Sequence, residues 1–321
     1  MSRIRVLSYN VRYDSRQDRH DAWYARRDGV LDVVRFHRPD VAGFQEPLPG
    51  QRADLREGLP QYAFVGHGRE AGGEGEGCPI AVRTDRWQIV DDGTFWLSET
   101  PAEPSTDWDA AHPRIATWAA VEPHESPAEP VVPGRRPLLV VNTHFDHVSP
   151  RARRESARLL VDRIPSLGRR EDEDTDSSDG GVGPDGAGPD SDGRRSVVFV
   201  GDLNCTVGTE PYRILTGEGV NASDESTNAN GSPGPNGDEP VALRDAVADA
   251  DVRHGPTTSV TDFVRLVDNR RIDHVLVTPD IEAEAVATLT DRDDRGRYPS
   301  DHLPVLARLR RHSAASMSSS S

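Results

Sequence analysis

The feature that most constrains this chain is a short apolar run, rich in β-branched residues, that ends directly on polar side chains. The run Val197 to Val200 is followed by Gly201 to Asn204. Four apolar residues in a row predict a strand buried on both faces, ending at a sheet rim where loops hold functional groups. If the segment stays extended, Asp202 and Asn204 point to the same side. They form either an Asx turn that closes the strand or part of a site for a cation, a water or a phosphate oxygen.

The same design recurs along the chain, because several predicted strands are bounded by residues that can bind metal or titrate. In chain order these residues are Asn10, Glu46, His144, Asp202 with Asn204, Asp273, and Asp301 with His302. A strand terminus needs only Gly, Asn or Ser. Six boundaries of this kind therefore indicate that they converge on a common active site.

The remaining pattern predicts many strands and few helices. Helices are expected over 21–37, 51–58 and 151–167, and the first carries Phe36 on its predicted apolar face. The glycine-rich stretch 69–77 is predicted to be a mobile surface loop. Many strands, few helices and long connections favour an α+β sandwich of two packed sheets with helices outside.

The charge balance limits the classes of partner. The 321 residues have a net charge of −16, with 54 acidic residues against 38 arginines and no lysine. An acidic, lysine-free surface suits concentrated salt, so we expect a halophilic source; GC-rich codon usage is a compatible explanation. The charge argues against general nucleic-acid binding through a basic surface, but not against a phosphate-processing enzyme.

Cysteine content and hydropathy indicate the cellular setting. Cys78 and Cys205 lie far apart without a Cys/His cluster, which argues against a zinc site and favours a reducing compartment. Residues 1–11 lack a signal-peptide pattern, and no apolar run approaches the roughly 18 residues of a membrane span. We therefore expect a cytoplasmic monomer without a membrane span.

Two tracts contain almost nothing to bury. Residues 168–195 and 217–240 are rich in Asp, Gly, Ser and Pro, so we expect two disordered acidic insertions. Residues 312–321 are expected to be a disordered tail. The rest of residues 1–311 is expected to form a single domain.

Taken together, the motifs resemble those of the endonuclease/exonuclease/phosphatase superfamily, which includes pancreatic-type deoxyribonucleases, apurinic/apyrimidinic endonucleases, neutral sphingomyelinases and inositol polyphosphate 5-phosphatases. The matching segments, in the family's order, are 8–10, 45–46, 142–144, 201–204, 271–274 and 300–304. The longer strings 95–101, 113–118 and 143–147 look like an uncharacterised bacterial and archaeal subgroup. The resemblance implies a deoxyribonuclease I-like, four-layered α/β sandwich of two packed mixed β-sheets flanked by helices.

The resemblance also implies a metal site and an acid–base pair. Glu46, Asn10 and Asp301 would hold Mg²⁺ or Mn²⁺, since a hard cation prefers oxygen ligands. His302 would contact the scissile phosphate or help to activate water. Asp273 would be its partner, fixing the imidazole tautomer and favouring the charged ring.

Further site residues follow from the same resemblance. His144 would stabilise or protonate a phosphate oxygen, with Glu76 as its candidate carboxylate partner. Asp202 would orient the attacking water or hold metal, and Asn204 would bind a phosphate oxygen. Arg114 could pair bidentately with phosphate.

Asp146 and His147 extend the motif of His144, and would either support the site, position the substrate or add a second metal. The implied reaction is in-line attack by water on a phosphodiester or phosphomonoester, without a covalent intermediate. A nuclease acting on DNA or RNA is the alternative, and a non-catalytic phosphate-binding scaffold is the second alternative. The sequence leaves the physiological substrate, the preferred metal and the number of metals open.

Overall fold

Two mixed β-sheets build the centre of the molecule. The computed structural model describes residues 2–124, 136–168, 195–218 and 241–312. The first sheet has the order β10-β12-β13-β1-β2-β4-β3, with β1 Ser2–Asn10, β2 Val41–Gln45, β3 Tyr62–Val65, β4 Ile80–Arg83, β10 Val252–His254, β12 Ile281–Thr288 and β13 Val305–Arg311. The second has the order β5-β6-β7-β8-β11-β9, with β5 Trp87–Trp96, β6 Ile115–Pro123, β7 Leu138–His144, β8 Val197–Asp202, β9 Arg244–Asp245 and β11 Asp273–Val277.

In the described ranges four helices cover the outer faces of the two sheets, and a fifth, shorter one packs its Ala246 into the core between them. They are α1 Trp23–His37, α2 Pro49–Gly58, α3 Pro150–Arg163, α4 Glu210–Thr216 and the short α5 Ala246–Asp249, with 3₁₀ turns at Arg16–Asp21, Ala71–Gly73 and Ile164–Ser166. Side chains of α1 and α2 share a core with the first sheet, and those of α3 and α4 share one with the second. The predicted α+β, four-layered sandwich is confirmed.

Strand β8 shows how alternation divides these cores. Val198 and Val200 enter the core between the two sheets, where Val6 of β1 also lies. Val197 and Phe199 point the other way, into the core beneath α3 and α4. Because successive side chains of a strand face opposite sides, a strand covered on both faces must be apolar throughout. The prediction of a doubly buried strand from this run is confirmed.

Strand pairing brings the predicted polar residues to one edge of the sandwich. In the parallel pair β1 and β2, Asn10 lies beside Gln45. In the parallel pair β7 and β8, His144 lies beside Asp202. Strand β11 runs antiparallel to β8, so its first residue, Asp273, is also paired with Asp202. The ends of four strands and the start of a fifth therefore lie together.

A glycine allows the two sheets to approach closely beneath this edge. A Cβ atom on Gly43 would lie 2.6 Å from a methyl of Val200 and 2.8 Å from Cγ of Asn142. The Asn142 amide donates to the carbonyl of Phe44 and accepts from Gln45 at 2.7 Å. This buried polar layer joins β2 to β7 and gives the site above it a rigid base.

One helix prediction is wrong for a single residue. Helix α1 begins at Trp23 and buries Val30 and Val34, but Phe36 is 79 % exposed. Phe36 lies two residues beyond Val34, about 200° around the helix, and so faces away from the sheet. The apolar face of the helix in the structure is therefore narrower than the predicted one.

A buried arginine ties the exit of β1 to the segment that carries His302. Arg26 is 1 % exposed, and its guanidinium donates to the carbonyls of Asp21, Val11, Arg12 and Pro299. With the carbonyl of Tyr13, five carbonyl acceptors satisfy a charge that burial would otherwise penalise. This clamp fixes two loops that meet at the edge holding the polar residues.

The predicted insertions and tail lie largely outside the described residues, namely at 169–194, 219–240 and 313–321. The two described ends of the first segment are joined to each other. The guanidinium of Arg195 donates to the carbonyl of Leu167 and, at 2.8 Å, to that of Gly168. None of the helices in the described ranges is long and apolar enough to cross a membrane.

His274, on the face of β11 turned away from the polar edge, gives a testable pH dependence. Its Nε2 lies 3.0 Å from the carbonyl of Cys205, while burial and the neighbouring Arg271 lower its pKa to about 4. The unfolded chain binds this proton below about pH 6.5, so stability is complete above that pH and falls as the pH drops towards 4. We expect urea unfolding to show a loss of about 2 kcal/mol between pH 7 and pH 5 that is missing in His274→Gln. Equal losses in both proteins would contradict this assignment.

Candidate active site

His302 and Asp273 form the ion pair at the centre of the polar edge. Nδ1 of His302 lies 2.8 Å from Oδ2 of Asp273, and its Nε2 lies 3.7 Å from Oδ2 of Asp202. Burial disfavours the charged ring, but Asp273 and Asp202 outweigh it and hold the pKa of His302 well above its ordinary value. The imidazole is therefore a buried cation with Nε2–H directed towards the cluster.

Asp202 closes an Asx turn and belongs to the cluster at the same time. Its Oδ1 accepts the backbone N–H of Asn204 at 2.9 Å, and Asn204 has a φ of 47°. The predictions from the sequence present the Asx turn and the functional site as alternatives and take the backbone of residues 202–204 to be extended. The structure contradicts both assumptions, because the turn uses Oδ1 and leaves Oδ2 facing the two histidines. Burial, with a contribution from Asp273, raises the pKa of Asp202 to about 7.

Asn10 bridges two carboxylates. Its amide nitrogen donates to Oε1 of Glu46 at 2.9 Å and to Oδ2 of Asp202 at 3.0 Å. Its side-chain oxygen, Oδ1, accepts the backbone N–H of Arg12. The role of Asn10 as an oxygen ligand stays a prediction, since its side-chain oxygen accepts one N–H and keeps a second lone pair, while its nitrogen orients the acidic groups.

Glu46 is held with its backbone in an unusual conformation. It is 8 % exposed, has a φ of 74°, and its Oε2 accepts the backbone N–H of Tyr13 at 2.9 Å. A positive φ in a residue other than glycine is costly and clusters at functional sites. The strand β2 thus ends by turning the Glu46 carboxylate towards Asn10.

Asp301 completes the acidic group, beside an arginine that the sequence does not single out. Oδ2 of Asp301 lies 3.6 Å from a guanidinium nitrogen of Arg12. Burial raises the pKa of Asp301, and the nearby Glu46 raises it further. Arg12 is six residues from Asp18, its other partner, and only the folded loop brings it to Asp301.

His144 has the opposite protonation state from His302. The amide nitrogen of Asn204 donates both to the carbonyl of Phe145 and to Nε2 of His144, at 2.9 Å. Nε2 is therefore an acceptor, and the ring proton lies on Nδ1. Burial and the adjacent Arg114 hold the pKa of His144 well below its ordinary value. Because the ring of His144 is neutral and that of His302 is charged, the two histidines can take different roles in a reaction.

Asp146 and His147 orient Arg114. Oδ1 of Asp146 accepts the backbone N–H groups of Val148 and Ser149, while Oδ2 accepts from Ala111 and lies 3.4 Å from Nε of Arg114. Nδ1 of His147 lies 3.0 Å from another nitrogen of Arg114. Because these contacts use both carboxylate oxygens of Asp146, the arrangement favours the support role over a second metal.

Glu76 pairs with an arginine instead of with His144. Its Oε2 lies 2.7 Å from a guanidinium nitrogen of Arg69. Both side chains line a small cleft together with Arg114 and His144. The predicted surface character of 69–77 is wrong for Arg69, which is 7 % exposed, since the loop folds back and its ends are hydrogen-bonded to each other. The sequence does not single out Arg69, whose only signal is its position in a Gly/Glu-rich loop.

The model of the Endonuclease/Exonuclease/phosphatase family matches residues 7–302. The chain belongs to this family. An endonuclease/exonuclease/phosphatase from Bacteroides vulgatus has 30 % identity and a TM-score of 0.76, with 97 % of this chain and 100 % of that one covered. A mannosyl-6-phosphatase from Bacteroides thetaiotaomicron has 30 % identity and a TM-score of 0.74, with 96 % and 99 % covered. No curated protein matches the chain.

Distant members of this fold show how far the architecture extends. TDP2 of D. rerio, in complex with a single-strand DNA product, has 16 % identity and a TM-score of 0.60, with 97 % of this chain and 100 % of that one covered. At this identity the likeness concerns the fold alone. The family contains phosphatases and nucleases, and the chain shares its phosphoesterase fold.

The acidic edge has the donors that a hard divalent cation requires. Glu46, His144 and Asp202 each offer one ligand atom, and these atoms lie within 4.8 Å of one another. Asp202 and Asp273 lie equally close to His302, but its charged ring has no free nitrogen lone pair, so in that second group the carboxylates alone could bind a cation. In the described part of the chain, Oδ1 of Asp273 is buried without a hydrogen-bond partner. Buried carboxylates in excess of nearby cations fit a site for a cation such as Mg²⁺.

Proposed function

We propose that the chain is a divalent-metal-dependent phosphoester hydrolase in which water attacks a phosphodiester or phosphomonoester in line, without a covalent intermediate. The observation that carries this proposal is the buried, charged His302, held by Asp273 beside the carboxylates of Asp202 and Glu46. A fixed cation next to buried acidic groups can stabilise charge that develops on a phosphoryl oxygen.

Different side chains of the protein would take different roles in this reaction. His302 would donate from Nε2 to a phosphate oxygen, and Asp273 would keep its proton on that nitrogen by occupying Nδ1. Oδ2 of Asp202 would accept a hydrogen bond from the attacking water and so orient it. Arg114 would bind another phosphate oxygen through its guanidinium, and Asn204 would bind one by exchanging its amide hydrogen bond to His144 or to the carbonyl of Phe145.

The metal would be held on the acidic side of the cluster. Glu46, Asp202 and Asp301 supply carboxylate oxygens there, and Asn10 orients two of the three carboxylates. When bound, Mg²⁺ or Mn²⁺ would neutralise negative charge on the phosphoryl and leaving oxygens.

A small phosphoester is favoured over nucleic acid as substrate. With a net charge of −16, the chain lacks the overall basic balance typical of proteins that bind a long polyanion. A relative with 30 % identity is a mannosyl-6-phosphatase. Both points support a general phosphatase or phosphodiesterase, with a nuclease as the alternative.

The test is a substrate panel in high salt with Mg²⁺, Mn²⁺ or EDTA. We expect hydrolysis of p-nitrophenyl phosphate, bis-p-nitrophenyl phosphate or mannose 6-phosphate that requires the metal and stops with EDTA, and no cleavage of plasmid DNA. Cleavage of the plasmid alone would favour the nuclease. Turnover of no substrate would favour a phosphate-binding scaffold, and turnover unaffected by EDTA would contradict the metal requirement.

A further inference from the structure

A cavity of about 410 Å³ lies beside the polar edge, and apart from Asn204 its lining has no part in the reaction described above. Its walls come from the start of α3, from the segment that follows β8, and from the segment that precedes β11. Its polar lining consists of Arg153, Arg270, Asn204, Thr206, Thr209 and Glu210. A cavity of this size accommodates a small organic ligand.

Asn204 connects the cavity to the candidate active site. It lines the cavity, and its amide nitrogen is 2.9 Å from Nε2 of His144. The cleft on another side of His144, lined by Arg69 and Arg114, has a volume of only about 10 Å³. Of these two spaces, the larger cavity is therefore the one that can hold the body of a substrate whose phosphoester lies at the polar edge.

The cavity is positively charged in a strongly acidic protein. One guanidinium nitrogen of Arg153 donates to the carbonyl of Asp146 at 2.8 Å, which fixes the side chain. The side chain of Arg270 makes no hydrogen bond or ion pair with any residue in the described ranges. Glu210 is the one acidic residue of the lining; its side chain is 59 % exposed and its carboxylate lies 3.8 Å from Arg154, so two arginines face a single, solvated carboxylate.

We propose that this cavity binds a second phosphate group of the substrate, so that the preferred substrates are small bisphosphates. The proposal rests on the proposed function, because it places the other phosphate at His302. Arg153 and Arg270 stand on two different walls, and guanidinium groups bind phosphate through paired N–H donors. The hydroxyl of Thr206 adds a further donor. Arg270, whose side chain is without a hydrogen bond or ion pair among the described residues, is the one we expect to gain most from the bound anion.

The test measures binding apart from hydrolysis. In a His302→Gln background, isothermal titration calorimetry compares fructose 1,6-bisphosphate with fructose 6-phosphate in the presence of Mg²⁺. We expect the bisphosphate to bind about tenfold more tightly, since one charge-assisted contact set is worth about one power of ten. In the variants Arg270→Gln and Arg153→Gln, the affinities for fructose 1,6-bisphosphate and for fructose 6-phosphate should become nearly equal.

Arg213→Gln is the matched control. Arg213 is an exposed arginine of α4 that does not line the cavity, and its substitution should leave the preference for bisphosphate unchanged. Equal affinity for the two sugars before substitution, or a preference that survives both cavity substitutions, would overturn the proposal.

The outcomes for the two proposals can be separated. A preference for bisphosphate that depends on Arg270, in a protein that hydrolyses nothing in the panel, would support the cavity as an anion site and reject the enzyme. Metal-dependent hydrolysis without any preference for bisphosphate would support the enzyme and reject the cavity proposal.

Discussion

His302→Gln is expected to lower kcat on the best substrate of the panel by about 10³-fold, within the range that a positioned acid–base group contributes. Glutamine keeps a polar side chain near Asp273 but cannot carry the positive charge that Asp273 and Asp202 stabilise on the imidazole. The measurement is the initial rate of p-nitrophenol release at saturating Mg²⁺. Circular dichroism melting of the same preparation shows whether the variant is folded.

His124→Gln is the control for this prediction. His124 is exposed at the end of β6, where its Nε2 lies 2.9 Å from the carbonyl of Thr84, and it contacts none of the site residues. Its substitution should leave kcat unchanged. A folded His302→Gln protein that keeps more than about a tenth of the wild-type kcat would show that His302 is not the group that stabilises the transition state.

Glu46→Gln is expected to raise the Mg²⁺ concentration for half-maximal rate by about 100-fold. Even residues that only support metal ligands contribute about 10- to 100-fold to affinity, so removing a charged ligand should reach the upper end. The substitution keeps the size of the side chain and one acceptor oxygen for either Asn10 or Tyr13. Metal titration of the rate and direct Mn²⁺ binding by calorimetry measure the same constant independently.

The control is Glu103→Gln in the exposed loop between β5 and β6, which should leave both titrations unchanged. If Glu46→Gln reduced kcat but left the metal affinity unchanged, Glu46 would act on the substrate and not on the cation. An unchanged rate and an unchanged affinity would remove Glu46 from the site altogether.

Pairings that follow from strand register could be predicted from the sequence. His144, Asp202 and Asp273 each lie at a strand boundary, and the hydrophobic runs place those boundaries within a residue or two. When β7, β8 and β11 are neighbours in one sheet, the polar residues at these boundaries lie next to each other. The prediction of His302 beside Asp273 comes instead from the resemblance of their two motifs to those of the family.

Contacts made by loops could not be predicted in the same way. Arg69 reaches Glu76, and Arg12 reaches Asp301, through backbone that follows no periodic pattern. The bridging role of Asn10 depends on which amide atom faces the carboxylates, and the backbone N–H of Arg12 decides that. The exposure of Phe36, by contrast, follows from helix geometry alone.

The Asx turn at Asp202 and the place of the same carboxylate in the cluster are compatible. A carboxylate has two oxygens, so a local hydrogen bond from Asn204 and a role in the cluster do not compete. The local turn instead fixes the rotation of the carboxylate, which is the property that a site for orienting water requires.

The bond of Arg195 to Leu167 and Gly168 has a consequence for protein engineering. Because a single side chain spans the two described ends of the segment 169–194, the gap between α3 and β8 can be closed by a very short connection. The entropic cost of lengthening a connection whose ends already meet grows only slowly with its length. We infer that this chain tolerates connections of different length at this point, which makes it a suitable place to insert a fluorescent reporter or an affinity tag.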